Sequence, residues 1–349
     1  MKINHIKITK NAMKKIKVIQ FGLGNMGSVM AKTVLEKKDL ELVGAIVRND
    51  KDNGKDISEL IGLKKKTGIK TFTNIKEAIK KTKPDIMLHA AVSYVPEVWK
   101  QIKPAVESGI NVITIAEEMG WPFVKYPKLC REMENAAKKH KVSILGSGIN
   151  PGFAMDIMPL VISGICQNVK SIKVTRVIDF SPFGPAIQKN IGIGMSSIEF
   201  KKGIKERKLP LHIGLPESTY MLASGLKWNL DKVIETREAV IAKHNTKVLG
   251  YMTVKKGKVV GFNHRCFGFY KSKKLIILEE LGRIDPHEHY KNTILIEGKP
   301  KLIETINVPP GNITTTSHAV NLIPLVVNAK PGLLSMLDIP PAPALQNKK

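Results

Sequence analysis

The chain has 349 residues, 43% hydrophobic and 25% charged, the balance of a folded globular protein large enough for two domains. No apolar run of about 18 residues is present, which argues against a membrane span. The three cysteines, Cys130, Cys166 and Cys266, form no C-x-x-C and point to a reducing cytoplasm rather than a disulfide framework. A net charge of +26 raises nucleic acid as a partner, but lysine supplies nearly all of the excess and is scattered from Lys14 to Lys273. No helix-turn-helix, zinc-finger or RNA-binding aromatic pattern accompanies it, so a solvated surface and no nucleic-acid partner are expected.

Residues 1–15 are basic and lack the apolar core of a secretory signal, so they read as a flexible extension. Ile16–Phe21 is short, β-branched and apolar, a buried strand, and Val29, Met30, Thr33 and Val34 recur at helical spacing as far as Lys37. Between them stand Gly22, Leu23, Gly24, Asn25, Met26 and Gly27, a G-x-G-x-x-G in the strand-to-helix setting that makes it meaningful. The first glycine permits a tight turn, the second admits a pyrophosphate and the third lets helix and strand approach. The phosphates would then lie on the helix N-terminus.

Leu40–Val47 is a second strand, and an acidic residue at its end would bind the ribose of NAD. Arg48 stands there instead, which favours the 2′-phosphate of NADP modestly over NAD; an ordinary surface arginine is the alternative. Residues 49–66 read as a loop with one short helix, and Asn74 as the cap of the next helix, with Glu77 as its reciprocal partner. Residues 85–90 form a strand with Ala91 and Ser93 at its carboxyl end, both candidate cofactor contacts. A helix over 96–108, a strand over 111–116, a helix over 126–140 and a strand over 142–147 continue the alternation. The expectation is a Rossmann doubly wound parallel sheet over 16–150.

Beyond it the period changes from helical to two. Residues 169–180, 231–243, 247–255, 258–270 and 274–281 read as strands, with one hairpin turn at Lys256-Gly257 and another across Gly298-Lys299. Helices are expected near 196–207 and 216–226. Residues 151–310 are therefore read as a second, α+β domain with a mostly antiparallel sheet. The Gly/Pro-rich residues 181–195 are long enough for a lid, or are a plain connection. An apolar helix over 313–329, within a final segment 311–349, is expected to return to the first domain.

Ligands of such sheets bind at the carboxyl ends of the strands, where Ser93, Glu117 and Asn150 fall. Glu117 and Glu118 are placed for acid–base work, although a carboxylate pair at a helix start is also stabilised by the dipole. Asn150 can serve the site, the turn it opens, or both. Arg176 interrupts an alternating strand and can hold a carboxylate bidentately, or lie exposed. Thr315 sits in a hydroxyl run, Thr314 to Ser317, that capping alone also explains. His287 and His289 have no placed partners, and no metal is expected.

Gly22-Leu-Gly-Asn-Met-Gly27, Ile115-Ala-Glu-Glu118, Gly148-Ile-Asn-Pro-Gly-Phe153 and Val320-Asn-Leu-Ile-Pro324 with Ala329-Lys-Pro-Gly332 resemble the 2,4-diaminopentanoate dehydrogenase and native amine dehydrogenase family, from about residue 15 to 342. The N-terminal part is of the dihydrodipicolinate reductase type, but the His-His-x-x-Lys signature of that reductase is missing. The resemblance implies oxidative deamination of a diamino acid or amine with NADP or NAD, ammonia as a product, and a homodimer. It implies that the acidic pair contains the residue holding ammonia, placed at Glu117. Family members carry Glu-His where this chain has Glu279-Glu280, and a carboxylate at Glu280 suits a second amino group. An amine dehydrogenase for simple ketones, a cyclic-imine reductase and a dinucleotide-sensing regulator remain the other readings.

Overall fold

The computed structural model describes residues 15–348 apart from 210, 249–251, 285–289 and 310, with residue 186 described by its main chain only. The expected extension, except Lys15, and both His287 and His289 fall outside the described residues.

Strands β1 (Ile16–Phe21), β2 (Leu40–Ile46), β3 (Thr71–Phe72), β4 (Ile86–His89), β5 (Asn111–Thr114) and β6 (Ser143–Gly146) alternate with helices α1 (Asn25–Glu36), α2 (Ile57–Ile61), α3 (Ile75–Thr82), α4 (Val95–Glu107) and α5 (Pro127–Lys139). They pair in parallel in the order β3-β2-β1-β4-β5-β6, the doubly wound order of a dinucleotide-binding sheet. Successive side chains alternate between two buried faces. Val18, Leu88, Ile113 and Leu145 pack with Met30, Ala31 and Val34 of α1. Ile19, Met87, Val112 and Ile144 pack with Val98 and Ile102 of α4 and Met133 of α5.

The second half holds α6 (Ile157–Ser163), β7 (Asn168–Asp179), α7 (Pro185–Asn190), α8 (Ser197–Lys205), α9 (Leu215–Gly225), β8 (Lys232–Ile241), β9 (Thr246–Val248), β10 (Met252–Val254), β11 (Val259–Tyr270), β12 (Lys273–Arg283), β13 (Lys291–Lys299) and β14 (Leu302–Ile306). Six of these strands form a sheet in the order β14-β13-β7-β12-β11-β8, antiparallel except between β7 and β12. Strands β9 and β10 pair only with each other, so residues 247–255 are not one strand. Consequently the turn at Lys256-Gly257 links β10 to β11 without pairing them, because β11 is already flanked by β8 and β12. Gly298 and Lys299 stay within β13, and that hairpin turns at Pro300-Lys301 instead.

Residues 181–195 are pinned rather than free. Their middle folds as α7, and the buried Gln188 donates from Nε2 to the carbonyls of Phe180 and Phe183, both at 3.0 Å. Ile191 and Ile193 then bury against Phe200 and Phe262. Their hydrophobic anchors face a small core of their own.

The C-terminal segment returns to the first sheet as α10 (Gly311–Asn321), α11 (Ile323–Val327) and β15 (Gly332–Leu334). The single helix expected over 313–329 is divided between α10 and α11, with Pro324 in the first turn of α11, where a missing N–H costs nothing. Val320, Ile323 and Val326 join the core beneath α1, and β15 adds a seventh parallel strand beside β6. Lys348 N donates to Glu36 O at 2.7 Å, which fastens the end of the described chain to α1.

Candidate active site

The turn after β1 shows why its glycines are where they are. Gly22 has φ +86°, and a Cβ on it would stand 2.6 Å from the Ala90 carbonyl oxygen. A Cβ on Gly27 would fall on the carbonyl of Gly22. Gly24, which precedes α1, has open space where its side chain would be. Packing therefore dictates the outer two glycines, while the middle one leaves a clear approach to the helix N-terminus. No side chain caps α1, so its first N–H groups are available to an anion. Leu23 accepts from Ser28 Oγ at 2.9 Å, Asn25 is exposed on the first turn, and Ala91 lies beside Gly22. Ser93 follows β4, and its carbonyl accepts from Glu118 N at 3.3 Å. Strand order reverses between β1 and β4, the position at which such sheets bind dinucleotides. Arg48 is exposed just past β2. The donor set and the open cradle fit a nicotinamide dinucleotide.

A cavity of about 280 Å³ opens beside this turn, walled by Met26, Ile115, Glu117, residues 148–151, Arg176, Ile178, His212, Glu280, Gly311 and Thr315. Six of the sequence-derived candidates thus meet in one place: Met26, Glu117, Asn150, Arg176, Glu280 and Thr315. Arg176 is 4% exposed, and among the described residues its Nη1 has no hydrogen-bond partner. Burial pushes this guanidinium below its ordinary pKa, against the pull of the Glu280 carboxylate. Glu280, 2% exposed, accepts from Asn150 Nδ2 at 3.3 Å and has His212 Nδ1 at 3.5 Å, within ion-pair range but not aligned as a hydrogen bond. Asn150 Oδ1 in turn accepts from Ser218 Oγ at 3.2 Å. Thr315 Oγ1 accepts from Ile149 N at 3.2 Å, tying α10 to the cavity wall.

The acidic pair is split by the turn that carries it. Glu117 faces the cavity, and among the described residues its carboxylate has no hydrogen-bond or ion-pair partner. Glu118 points away and is 2% exposed, accepting from Val95 N at 3.1 Å and pairing with Lys125. It braces the start of α4 and does not line the cavity. Glu279 and Glu280 separate in the same way. Glu279 lies on the outer face of the sheet with Lys173, Arg265 and Thr175, while its neighbour points inward.

Register explains the inward set. Ile172 and Val174 precede Arg176, and Ile276 and Leu278 precede Glu280, all on the covered face. Arg176 stands opposite Glu280 and Asn292, and Glu280 opposite His264, which stands opposite Arg237. A polar row therefore crosses the sheet where its apolar face ends. His264 is 0% exposed, and its Nε2 lies 2.8 Å from Glu235 Oε1. Because a carboxylate only accepts, Nε2 carries the proton and Nδ1 is left as an unpartnered acceptor. Sequence reasoning missed His212, which sits in no motif. The polar row also went unread, although the polar break in each alternating strand was its signal.

A glycine cradle at the switch point of a doubly wound sheet, opening on a cavity with charged walls, defines a nicotinamide-dependent oxidoreductase acting on a small molecule. Residues 153–349 match the family model for the 2,4-diaminopentanoate dehydrogenase C-terminal domain, and residues 16–114 that for the dihydrodipicolinate reductase N-terminus. The chain is 36% identical over 334 residues, 94% of each chain, to the 2,4-diaminopentanoate dehydrogenase of Acetoanaerobium sticklandii. It is 26% identical to the amine dehydrogenase of Streptomyces virginiae, over 95% of this chain and 98% of the relative. The solved amine dehydrogenase of Mycobacterium smegmatis superposes with a TM-score of 0.81 at 25% identity, over 95% of this chain and 98% of that one. The chain belongs to the 2,4-diaminopentanoate dehydrogenase family.

Proposed function

We propose that this protein oxidatively deaminates 2,4-diaminopentanoate at C4, giving 2-amino-4-oxopentanoate and ammonia, with NADP preferred and NAD accepted. One observation carries the reading. A buried guanidinium with an unpartnered nitrogen and a buried carboxylate, Arg176 and Glu280, share a cavity with an unpaired carboxylate, Glu117, and with Met26 of the cofactor turn. Arg176 holds the substrate carboxylate, and Glu280, with Asn150 and His212 beside it, holds the 2-ammonium. A plain amine would leave both charges unused. The bound nicotinamide supplies the hydride acceptor. Glu117 removes a proton from the C4 ammonium so that the free amine can release hydride and, once that proton has passed to solvent, takes one from the water that converts the iminium to the ketone. Gly22, Gly24, Gly27, Ala91 and Ser93 shape the dinucleotide site, and Arg48 takes the 2′-phosphate. The active species is a homodimer.

Reduced-cofactor absorbance at 340 nm tests this with 2,4-diaminopentanoate, alanine, ornithine and a plain secondary amine, for the wild type and Glu117→Gln. Turnover of the diaminopentanoate is expected, with a loss of about 10²–10⁴-fold in the variant. Turnover of the plain amine alone would refute the substrate assignment and favour a simple amine dehydrogenase. Equal activity in Glu117→Gln would refute the assigned base.

A further inference from the structure

The turn that carries Glu117 follows β5, and β5 ends beside β4. His89 is the last residue of β4 and Thr114 the last of β5, and the two stand opposite each other in register. Both are 0% exposed, and neither lines the cavity. Their hydrogen bonds run in one consistent direction. A main-chain N–H only donates, so Thr114 Oγ1 accepts from Ala116 N at 3.1 Å. His89 Nε2 has Gln101 Oε1 at 2.8 Å, a carbonyl oxygen that only accepts, so Nε2 carries the proton. His89 Nδ1 is then an acceptor and takes the Thr114 hydroxyl at 2.8 Å. The opposite tautomer would leave that hydroxyl proton buried with no acceptor among the described residues. Burial favours the neutral ring, holding it below the ordinary histidine pKa against the pull of the Gln101 bond.

This chain of bonds ends on the turn itself. Ala116 is the last extended residue before 117–120, and its N–H is the one that Thr114 holds. On the far side of Glu117, the Glu118 carboxylate accepts from Val95 N. Gln101 and Val95 both belong to α4, so one helix anchors the residue before Glu117 and the residue after it. The His89 ring also rests on Phe21, with centroids 5.1 Å apart, and Phe21 leads directly into Gly22 of the cofactor turn. We propose that His89 is a positioning residue of the deamination: through the Thr114 hydroxyl it fixes the turn so that Glu117, and not Glu118, faces the substrate. This rests on the assignment of Glu117 as the base. His89 touches no substrate and transfers no proton. Because it acts only through Glu117, its removal should cost turnover nothing further once the Glu117 carboxylate is gone.

The test measures kcat and KM on whichever amine of the panel the wild type oxidises, counting active protein by its binding of reduced cofactor. His89→Leu should lower kcat about 10²-fold, the scale of a misplaced catalytic group, with KM for amine and cofactor within a few-fold. His89→Asn, whose Oδ1 can replace Nδ1 as the acceptor, should recover most of that loss. Thr114→Val cuts the chain at its next link and should repeat the pattern, and Thr114→Ser should reverse it. In a Glu117→Gln background His89→Leu should change kcat by no more than about twofold. Nitrogen-15 NMR of the wild type should show the His89 ring protonated at Nε2 and bare at Nδ1, assigned by the signal lost in His89→Asn. Equal losses in both backgrounds, a loss confined to KM, no recovery in His89→Asn and Thr114→Ser, or a proton on Nδ1 would overturn the positioning role alone. Full activity in Glu117→Gln, or a wild type that oxidises none of the amines, would overturn the reaction proposed above, and the positioning role with it.

Discussion

Arg176 carries a charge that burial penalises and that no hydrogen bond to its Nη1 relieves. A substrate carboxylate would satisfy that nitrogen through a charge-assisted bond worth about 1.5–3 kcal/mol, or roughly ten- to a hundredfold in affinity. Arg176→Met keeps the stem and removes the charge. It should raise KM for the diamino acid by that factor and leave a plain amine within a few-fold. Equal losses for both substrates would make Arg176 a structural residue. At this scale Glu117 was legible at the end of a buried strand and Arg176 as a polar break in an alternating one, whereas Glu280 was reached only through the family resemblance. The sequence could not divide Glu117 from Glu118, since one turn residue decides which carboxylate faces the cavity and which pairs with Lys125. His212 has no such signature. Only the fold brings it to within 3.5 Å of Glu280.

Elements with strong periodicity were legible to within a residue or two: α5 and β11 need no partner to be recognised. The two-residue β3 and three-residue β15 were not, because pairing rather than pattern makes them strands. Helix α7 was hidden in a Gly/Pro-rich stretch that Gln188 and two isoleucines hold in place. The loop joining β6 to α6 depends on a buried cap. Asp156, 0% exposed, accepts from Gly152 N at 2.9 Å, Ile157 N at 2.7 Å and Ser218 Oγ at 2.6 Å. Ser218 also reaches Asn150, so the cap fixes a cavity residue through α9. Burial pushes the Asp156 carboxyl up against the pull of these three donors. Asp156→Ala strands them, and the expected cost is about 3 kcal/mol, measured as a lower urea midpoint. A midpoint within error of the wild type would show that water replaces the cap.

For the whole molecule, the two sheets are joined by segments far apart in sequence. The cavity draws on Met26 near one end of the described chain and Thr315 near the other. Residues beyond 328 contribute Leu333, Met336 and Ile339, which are 8%, 3% and 7% exposed. Burying each is worth about 1.5–3 kcal/mol, so their sum rivals the net stability of a typical domain, about 5–15 kcal/mol. Deleting residues 328–349 should abolish a cooperative thermal transition in circular dichroism. A sharp transition in the shortened chain would show that the first sheet stands without its last strand.

That last strand also sets a timetable for the nascent protein. As the chain leaves the ribosome, β1 to β6 emerge first, yet the face above α1 is still uncovered and the edge of β6 still unpaired. N-terminal domains commonly fold while synthesis continues. Here that advantage is withheld, because the partner strand and the helices carrying Val320 and Ile323 are translated last. The six early strands wait, with an apolar surface and an open edge, through the synthesis of the entire second sheet. A product that stops before residue 311 would therefore keep that apolar face uncovered and that edge unpaired.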